Sequence, residues 1–391
     1  MATTAAGVST FLSFYFDSCL RSAASALGLG LCELRRLLGG SGRGLPTAAH
    51  IYVVQLGHLG DALITIPLLR ALRQAYPQAV LRVVTGAAGA GVFRDFAGVL
   101  VNDVVEYNSK KFARGAWTES TEVPRFSGAH LIIHVRGDLP LLLNYFTNYR
   151  AAFRHCLVPY SRLRMAPLYL LGVSAVPATK THQYDRIREV GHALGLNLSQ
   201  LPEIEVEQAW VDAARLVFGR HSLDAERAII IHPGAPWEFR RWPLTRYAAI
   251  MQSINAKSDF RIVIIGGEEE RALAAELRRL GADFIDLTGL LSLTTLAGVL
   301  HLCRLYIGND SGPGHLAAAV GARTLTLYGP QEPELFGAIG EQCVHLRGAV
   351  YCSPCWQVHC QHPQDTCMNR IGIREVELAV ARILQLQISV G

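Results

Sequence analysis

The 391-residue chain lacks any uninterrupted apolar stretch of the length a bilayer-spanning helix needs, so it does not read as a helical membrane protein. It has no Lys/Arg-dense block and no interleaving of basic with aromatic residues, which speaks against nucleic acid as a partner. The G-x-G-x-x-G fingerprint is absent, which counts against a dehydrogenase. The first residues, MATTAAGVSTFLSFYFDSCLR, carry no basic residue ahead of their apolar part and make a poor secretory signal. The nine cysteines form no framework of pairs along the chain, and several read as buried thiols, which favours a reducing cytoplasm. Charge is scarce as well: 18% of residues are charged against 50% hydrophobic, and the formal net charge is +5. That mild excess suits a phosphate-bearing partner or an anionic membrane surface. What is present is length and ordinary globular composition, enough for two domains with proper cores.

Residues 1–50 differ from the rest. Phe11, Phe14, Leu20, Leu27, Leu31 and Leu34 give them an apolar side, and Arg21, Arg35 and Arg36 a basic one. Two readings stand: a membrane-surface anchor, or a helix packed on the domain or a poorly ordered extension. GGSGRGLP (39–46) reads as a linker. From residue 51 strands and helices alternate. Strands are expected at 51–56, 80–86 and 129–138, with a helix from about Asp61 to Tyr76 and an apolar helix after Asp138. After 200–210 the rhythm restarts, with strands at 228–232, 261–265, 304–308 and 323–328. Helices are expected at 243–256, 269–280, 292–302, 314–320 and 373–387. Continuous Val/Ile/Leu runs between helices predict parallel sheets covered on both faces. The expected organisation is an extension (1–50), two doubly wound halves (51–205 and 206–372) and a closing helix (373–391).

The chemistry-bearing residues cluster just past the expected strand ends, where open α/β sheets bind ligands. In IGNDSGPGHLAAAVG, Asp310 and Ser311 follow a strand. Gly312 and Gly314 admit close backbone approach, Pro313 opens a helix, and His315 adds a donor. A helix mouth built this way suits phosphate; the plainer reading is that Asp310 or Ser311 merely caps the helix. QLGHLGDALITIP does the matching thing earlier: two glycines make the turn, and Asp61, kept ionised by the helix dipole, can accept a proton or simply cap. In HPGAPWEFRRWP, Gly234 allows close approach, and Arg240 with Arg241 offers forked donors for a diphosphate or remains a solvated surface pair. Gly266, Gly267 and Glu268 follow another strand, where a carboxylate often reads ribose hydroxyls, while Glu269 and Glu270 serve the helix dipole. Arg136 and Asp138, in HVRGD, are acceptor-side candidates. Cys352, Cys355, Cys360 and Cys367 form C-x2-C-x4-C-x6-C, with His359 and His362 between. A structural metal is one reading; a loop of free or paired thiols fits better, because the spacing matches no standard zinc ribbon.

Four segments, LGHLGDALITIPLLRALRQAYP, HPGAPWEFRRWP, GNDSGPGHLAAAVGARTLTLYGP and the late cysteine run, resemble glycosyltransferase family 9, the ADP-heptose:lipopolysaccharide heptosyltransferases. The resemblance spans about 51 to 385. It implies a GT-B architecture, two Rossmann-like domains with a cleft between them, the first receiving an acceptor and the second an ADP-sugar. It implies an inverting, metal-independent transfer at the cytoplasmic side of the inner membrane, onto lipopolysaccharide core or a similar glycan. By the same resemblance Asp61 stands where the family has its general base, and Gly60 lies beside it. Arg240 replaces the family's usual diphosphate-holding lysine, which keeps the charge and alters the grip. Asp310, Ser311, Gly312 and His315 fall on the family's D-[ST]-G-x-x-H motif, and Glu268 on its nucleotide contact. The alternatives are another GT-B enzyme with a different nucleotide sugar, and a non-catalytic module binding nucleotide sugars or phosphoglycans.

Overall fold

The structure is a computed structural model that describes residues 45–107, 112–113, 116–117, 126, 128–136, 156–160, 174–177, 181–353 and 360–385. Residues 1–44 of the N-terminal extension, and the helix expected after Asp138, lie outside the described residues.

The strands are β1 (His50–Gln55), β2 (Val80–Thr85), β3 (Asp103–Glu106), β4 (Phe112–Ala113), β5 (Ala116–Trp117), β6 (Leu131–Arg136), β7 (Cys156–Tyr160), β8 (Ser174–Pro177), β9 (Ala228–His232), β10 (Arg261–Ile264), β11 (Ile285–Asp286), β12 (Leu305–Asn309), β13 (Thr324–Tyr328) and β14 (Cys343–Arg347). The helices are α1 (Leu59–Leu63), α2 (Ile66–Ala75), α3 (Ala87–Ala97), α4 (Gln183–Ala193), α5 (Gln208–Arg220), α6 (Leu244–Lys257), α7 (Arg271–Arg279), α8 (Leu293–Leu302), α9 (Gly312–Ala319), α10 (Pro333–Phe336) and α11 (Ile373–Leu384).

Two units divide the chain. One gathers the described residues up to Gly57 and from Pro67 to Leu198; the other gathers His58–Ile66 and those from Ser199 onward. Strand–helix rhythm alone assigns 58–66 to the first half. Its packing on α9 attaches it to the second, a tertiary effect that periodicity does not register. The expected helix over 61–76 is two helices. Ile64, Thr65 and Ile66 are β-branched and stiff, and Pro67 disfavours helical backbone just before it and restarts the helix.

The first unit holds a six-stranded parallel sheet in the order β3-β2-β1-β6-β7-β8. Residues 51–55 of β1 and 131–135 of β6 are buried, Gln55 and His134 among them, as strands covered on both faces are. The second unit repeats the plan as β11-β10-β9-β12-β13-β14, again all parallel. Here β9, β12 and β13 are buried along their whole length. On one face Ile229, Ile231, Ile262, Ile264, Leu305 and Leu325 pack with Trp242, Tyr247 and Met251 of α6 and its approach. The stripe Val376, Val380, Leu384 docks α11 on the same core, and each such side chain contributes roughly 1.5–3 kcal/mol. Ser253 donates to Glu377 at 2.7 Å, and the Trp242 Nε1–H donates to the Ile371 carbonyl at 3.0 Å. In each sheet the order reverses beside the first strand, between β1 and β6 and between β9 and β12, and ligand sites of open α/β sheets form at such points.

Candidate active site

The second unit's reversal point is built on Asn309, the last residue of β12, which is wholly buried. Its Nδ2 donates to the carbonyls of Pro233 (2.8 Å) and Gly234 (3.3 Å). Its Oδ1 accepts from the Trp242 backbone N–H (3.0 Å) and the Tyr247 hydroxyl (3.1 Å). One side chain therefore pins both ends of the 233–242 loop to the carboxyl end of β12. Arg241 tightens the loop, donating to the Ala235 carbonyl at 3.1 and 3.2 Å. The sequence sets Asn309 at the strand end beside Asp310 and Ser311 but gives it no role, because what a buried amide does is recognised only by its partners.

His232 ends β9 and is 3% exposed. Its Nδ1 lies 3.1 Å from Ser311 Oγ and its Nε2 3.0 Å from Glu270 Oε2. Glu270 also accepts from the Gly267 N–H at 2.9 Å, so it serves the start of its turn and reaches beyond it. Burial pushes the Glu270 carboxyl up, but the His232 bond and charge, the Gly267 N–H and Arg241 outweigh it and hold it below its usual value. Gly234 makes room: a Cβ there would sit 1.5 Å from Glu270 Oε1.

Arg240 Nη1 donates to Asp310 Oδ2 at 3.2 Å, in a pair whose side chains are 19% and 7% exposed. Burial, helped in smaller part by the nearby Asp61 charge, lifts the Asp310 carboxyl to about 6 against the pull of Arg240. Ser311 takes the N-cap position of α9 with extended backbone (φ −160°, ψ 167°), yet its hydroxyl bonds no first-turn amide. It donates to the Asn309 carbonyl at 3.0 Å instead. The capping alternative for Ser311 is therefore not realised.

Asp61 lies on α1, in the 58–66 segment of the second unit, and accepts from the His58 N–H at 2.9 Å. A Cβ at Gly60 would meet the His315 ring at 2.7 Å, and one at Gly312 would meet Leu59 at 3.0 Å. Glycines at both positions let α1 lie against the start of α9. Gly314 faces inward, with Tyr306 and Thr326 at 3.4 and 3.5 Å from a Cβ placed there. The space at Gly312 and Gly314, which the sequence assigns to a ligand, is filled by protein.

Glu268 is 72% exposed and pairs with Arg271 Nε at 2.6 Å; the inward glutamate of the three is Glu270. Arg136 ends β6 opposite Gln55, where the register shifts by one residue, and its carbonyl accepts from the Leu56 N–H at 2.7 Å. Asp138 and Cys355 lie outside the described residues. Cys352, Cys360 and Cys367 carry free thiols, and among the described residues no group of three His, Cys, Asp or Glu could hold a metal. Among the same residues no helix is long and apolar enough to cross a membrane.

The family model for glycosyltransferase family 9 (heptosyltransferase) matches residues 149–364, more than half of the chain. The chain belongs to glycosyltransferase family 9. Lipopolysaccharide heptosyltransferase 1 of Pseudomonas aeruginosa is 31% identical over 153 residues, covering 37% of this chain and 43% of that protein. The alignment thus spans less than half of that relative. Among solved structures, the glycosyl transferase family 9 protein of Veillonella parvula aligns with TM-score 0.66 and 19% identity, covering 87% of this chain and 99% of the other. The E. coli heptosyltransferase WaaC with ADP aligns with TM-score 0.63 and 20% identity, covering 85% and 99%. At such identity these likenesses speak for the fold. This family 9 chain has the GT-B fold, α/β with two Rossmann-like parallel sheets.

Proposed function

We propose that this chain is an inverting glycosyltransferase that moves a heptose or related sugar from an ADP-sugar to a hydroxyl of lipopolysaccharide core or a similar glycan. One observation carries the reading: α1 brings the Asp61 carboxylate into the second unit, close enough to Asp310, the partner of Arg240, for its charge to act there. A proton acceptor and an anion-holding group then stand in one body. The choice of ADP follows the E. coli relative solved with it.

In this reading Asp61 takes the proton of an acceptor hydroxyl as its oxygen attacks the anomeric carbon. The bond from that carbon to the diphosphate oxygen breaks, and ADP leaves with the electron pair. Arg240 and the N–H groups at the mouth of α9 meet the charge growing on the diphosphate, and such preset donors lower the barrier. This assigns charge neutralisation to the chain's own groups, without a metal. His315 lies at the mouth of α9 as a further diphosphate contact and Glu268 reads the ribose, while the space at Gly234 is taken by Glu270 rather than by the nucleotide. Arg136 and Asp138 are proposed on the acceptor side. A lipid-linked acceptor would bring the enzyme to the inner face of the cytoplasmic membrane.

The test separates binding from transfer. With ADP-heptose and a deacylated core acceptor, Asp61→Asn should bind ADP as the parent does while sugar transfer falls by a factor on the order of 10² or more. Arg240→Ala should weaken ADP binding itself. Near-normal transfer by Asp61→Asn would falsify the base assignment.

A further inference from the structure

The loop after β9 carries two tryptophans with opposite surroundings. Trp242 is wholly buried, and its Nε1–H donates to the Ile371 carbonyl at 3.0 Å. Trp237, earlier in the same loop, is 41% exposed. Its ring lies nearly parallel to that of Phe239, with centroids 6.1 Å apart and planes at 19°, an offset stack that holds the indole's tilt. The Arg240 N–H donates to the Trp237 carbonyl at 3.0 Å and closes a single turn, which keeps the Cα atoms of the two residues within about 7 Å of each other. From that turn the Arg240 guanidinium reaches Asp310 at 3.2 Å. The loop is fixed on either side of the turn: Asn309 holds the Pro233 and Gly234 carbonyls and the Trp242 N–H, and Arg241 holds the Ala235 carbonyl. An exposed indole is thus presented, already oriented, on the same turn as the arginine assigned to the diphosphate.

We propose that Trp237 is the stacking plate for the sugar of the donor, the group joined to the diphosphate at the end opposite the nucleoside. The proposal rests on the donor reading given above. The nucleoside is assigned to Glu268, past β10, and β10 neighbours β9 on the side away from β12. The diphosphate is assigned to Arg240 and α9, past β9 and β12. The sugar is then the group left to meet the turn of residues 237–240. An aromatic face suits it, because one side of a saturated sugar ring is a set of C–H bonds that pack on a π face while the hydroxyls stay at the rim. Glu238, exposed next to the indole, can accept from one of those hydroxyls. Holding the sugar by its ring face sets the anomeric carbon in one orientation, which transfer requires. The indole is stiff and already held by Phe239, so little freedom is lost on contact.

The measurement is calorimetric titration of the full-length parent, Trp237→Ala, Trp237→Leu and Trp237→Phe with ADP and, separately, with ADP-heptose, both without acceptor. Trp237→Ala is expected to weaken ADP-heptose by about tenfold and ADP by less than about twofold. Trp237→Leu, apolar but without a flat face, should lose ADP-heptose as alanine does, and Trp237→Phe should recover most of the affinity. Equal losses for ADP and ADP-heptose put the indole on the nucleoside and overturn the proposal. Unchanged affinities for both overturn it too, as does leucine binding as well as phenylalanine, or an effect confined to the acceptor's KM at saturating donor. The comparison of leucine with phenylalanine decides alone if Trp237→Ala does not fold. A parent chain that binds neither ADP nor ADP-heptose refutes instead the donor-site reading, so the two failures are distinct.

Discussion

Gly234→Ala should unfold the site from within. A Cβ there would lie 1.5 Å from Glu270 Oε1, 2.4 Å from its Cδ and 2.9 Å from His232 Nε2. None of those distances is tolerable, so something must move. The loop is a poor candidate, because Asn309 Nδ2 holds the carbonyls of Pro233 and Gly234 from a buried position. Gly234 is not among the residues of positive φ, so alanine's backbone preference adds no cost of its own. The Glu270 carboxylate is what yields. It then gives up the His232 bond, charge-assisted or carrying the shared proton, and the Gly267 bond, together about 2–4 kcal/mol. Urea unfolding followed by tryptophan fluorescence reads the loss, since Trp242 is wholly buried in the same unit. The decisive comparison is Gly234→Ala made in Glu270→Ala. With the carboxylate gone the two closest approaches vanish and only the 2.9 Å one to His232 Nε2 remains, so the further cost should fall to about 1 kcal/mol or less. Equal costs in the two backgrounds would refute the reasoning, as would a loss below about 0.5 kcal/mol in the parent.

Asp310, with a folded pKa near 6 against an ordinary 3.8, keeps its proton longer in the folded chain than in the unfolded one. Its contribution is therefore full below pH 3.8 and is lost as pH rises through about 6. Relative to Asp310→Asn, the parent should lose roughly 3 kcal/mol of stability over that window, and a pH-independent difference between the two would sink the assignment. Gly60→Ala places a methyl 2.7 Å from the His315 ring and should push α1 off α9. Transfer should fall on the order of tenfold or more with little change in melting temperature, and an unaltered kcat would show that the fit of α1 on α9 is not needed.

The parallel sheets were legible because β1, β6, β9 and β12 are short runs dominated by Ile, Val, Leu and Tyr, while β13 (TLTLY) alternates leucine with threonine and is still buried throughout. β11, two residues long, and the exposed-edged β3 carry no such signal. Arg240, Asp310 and Ser311 were legible for a similar reason: polar groups right after a buried strand stand where the sheet leaves its carboxyl ends open. Their partners were not. Ser311 meets a histidine 79 residues away, which meets a glutamate 38 residues further along the chain, and only the folded sheet brings β9 beside β12. Three successive glutamates, 268 to 270, are equivalent by composition. The turn after β10 sends the third inward to His232 and leaves the first in solvent with Arg271.

Asp61 shows the same limit from the other side. Its turn chemistry is local and readable, whereas its attachment to the second unit depends on two glycines 252 positions apart in sequence number, Gly60 and Gly312, each leaving space for the other's neighbour. Small residues in such pairs have no periodic signature. Their meaning is the side chain they leave room for, here His315 on one helix and Leu59 on the other. Function in this chain therefore rests on local signals for which groups are charged and on packing for which of those groups meet. The second kind of information changes when a single methyl is added at Gly60, Gly234 or Gly312, with every charged residue left in place.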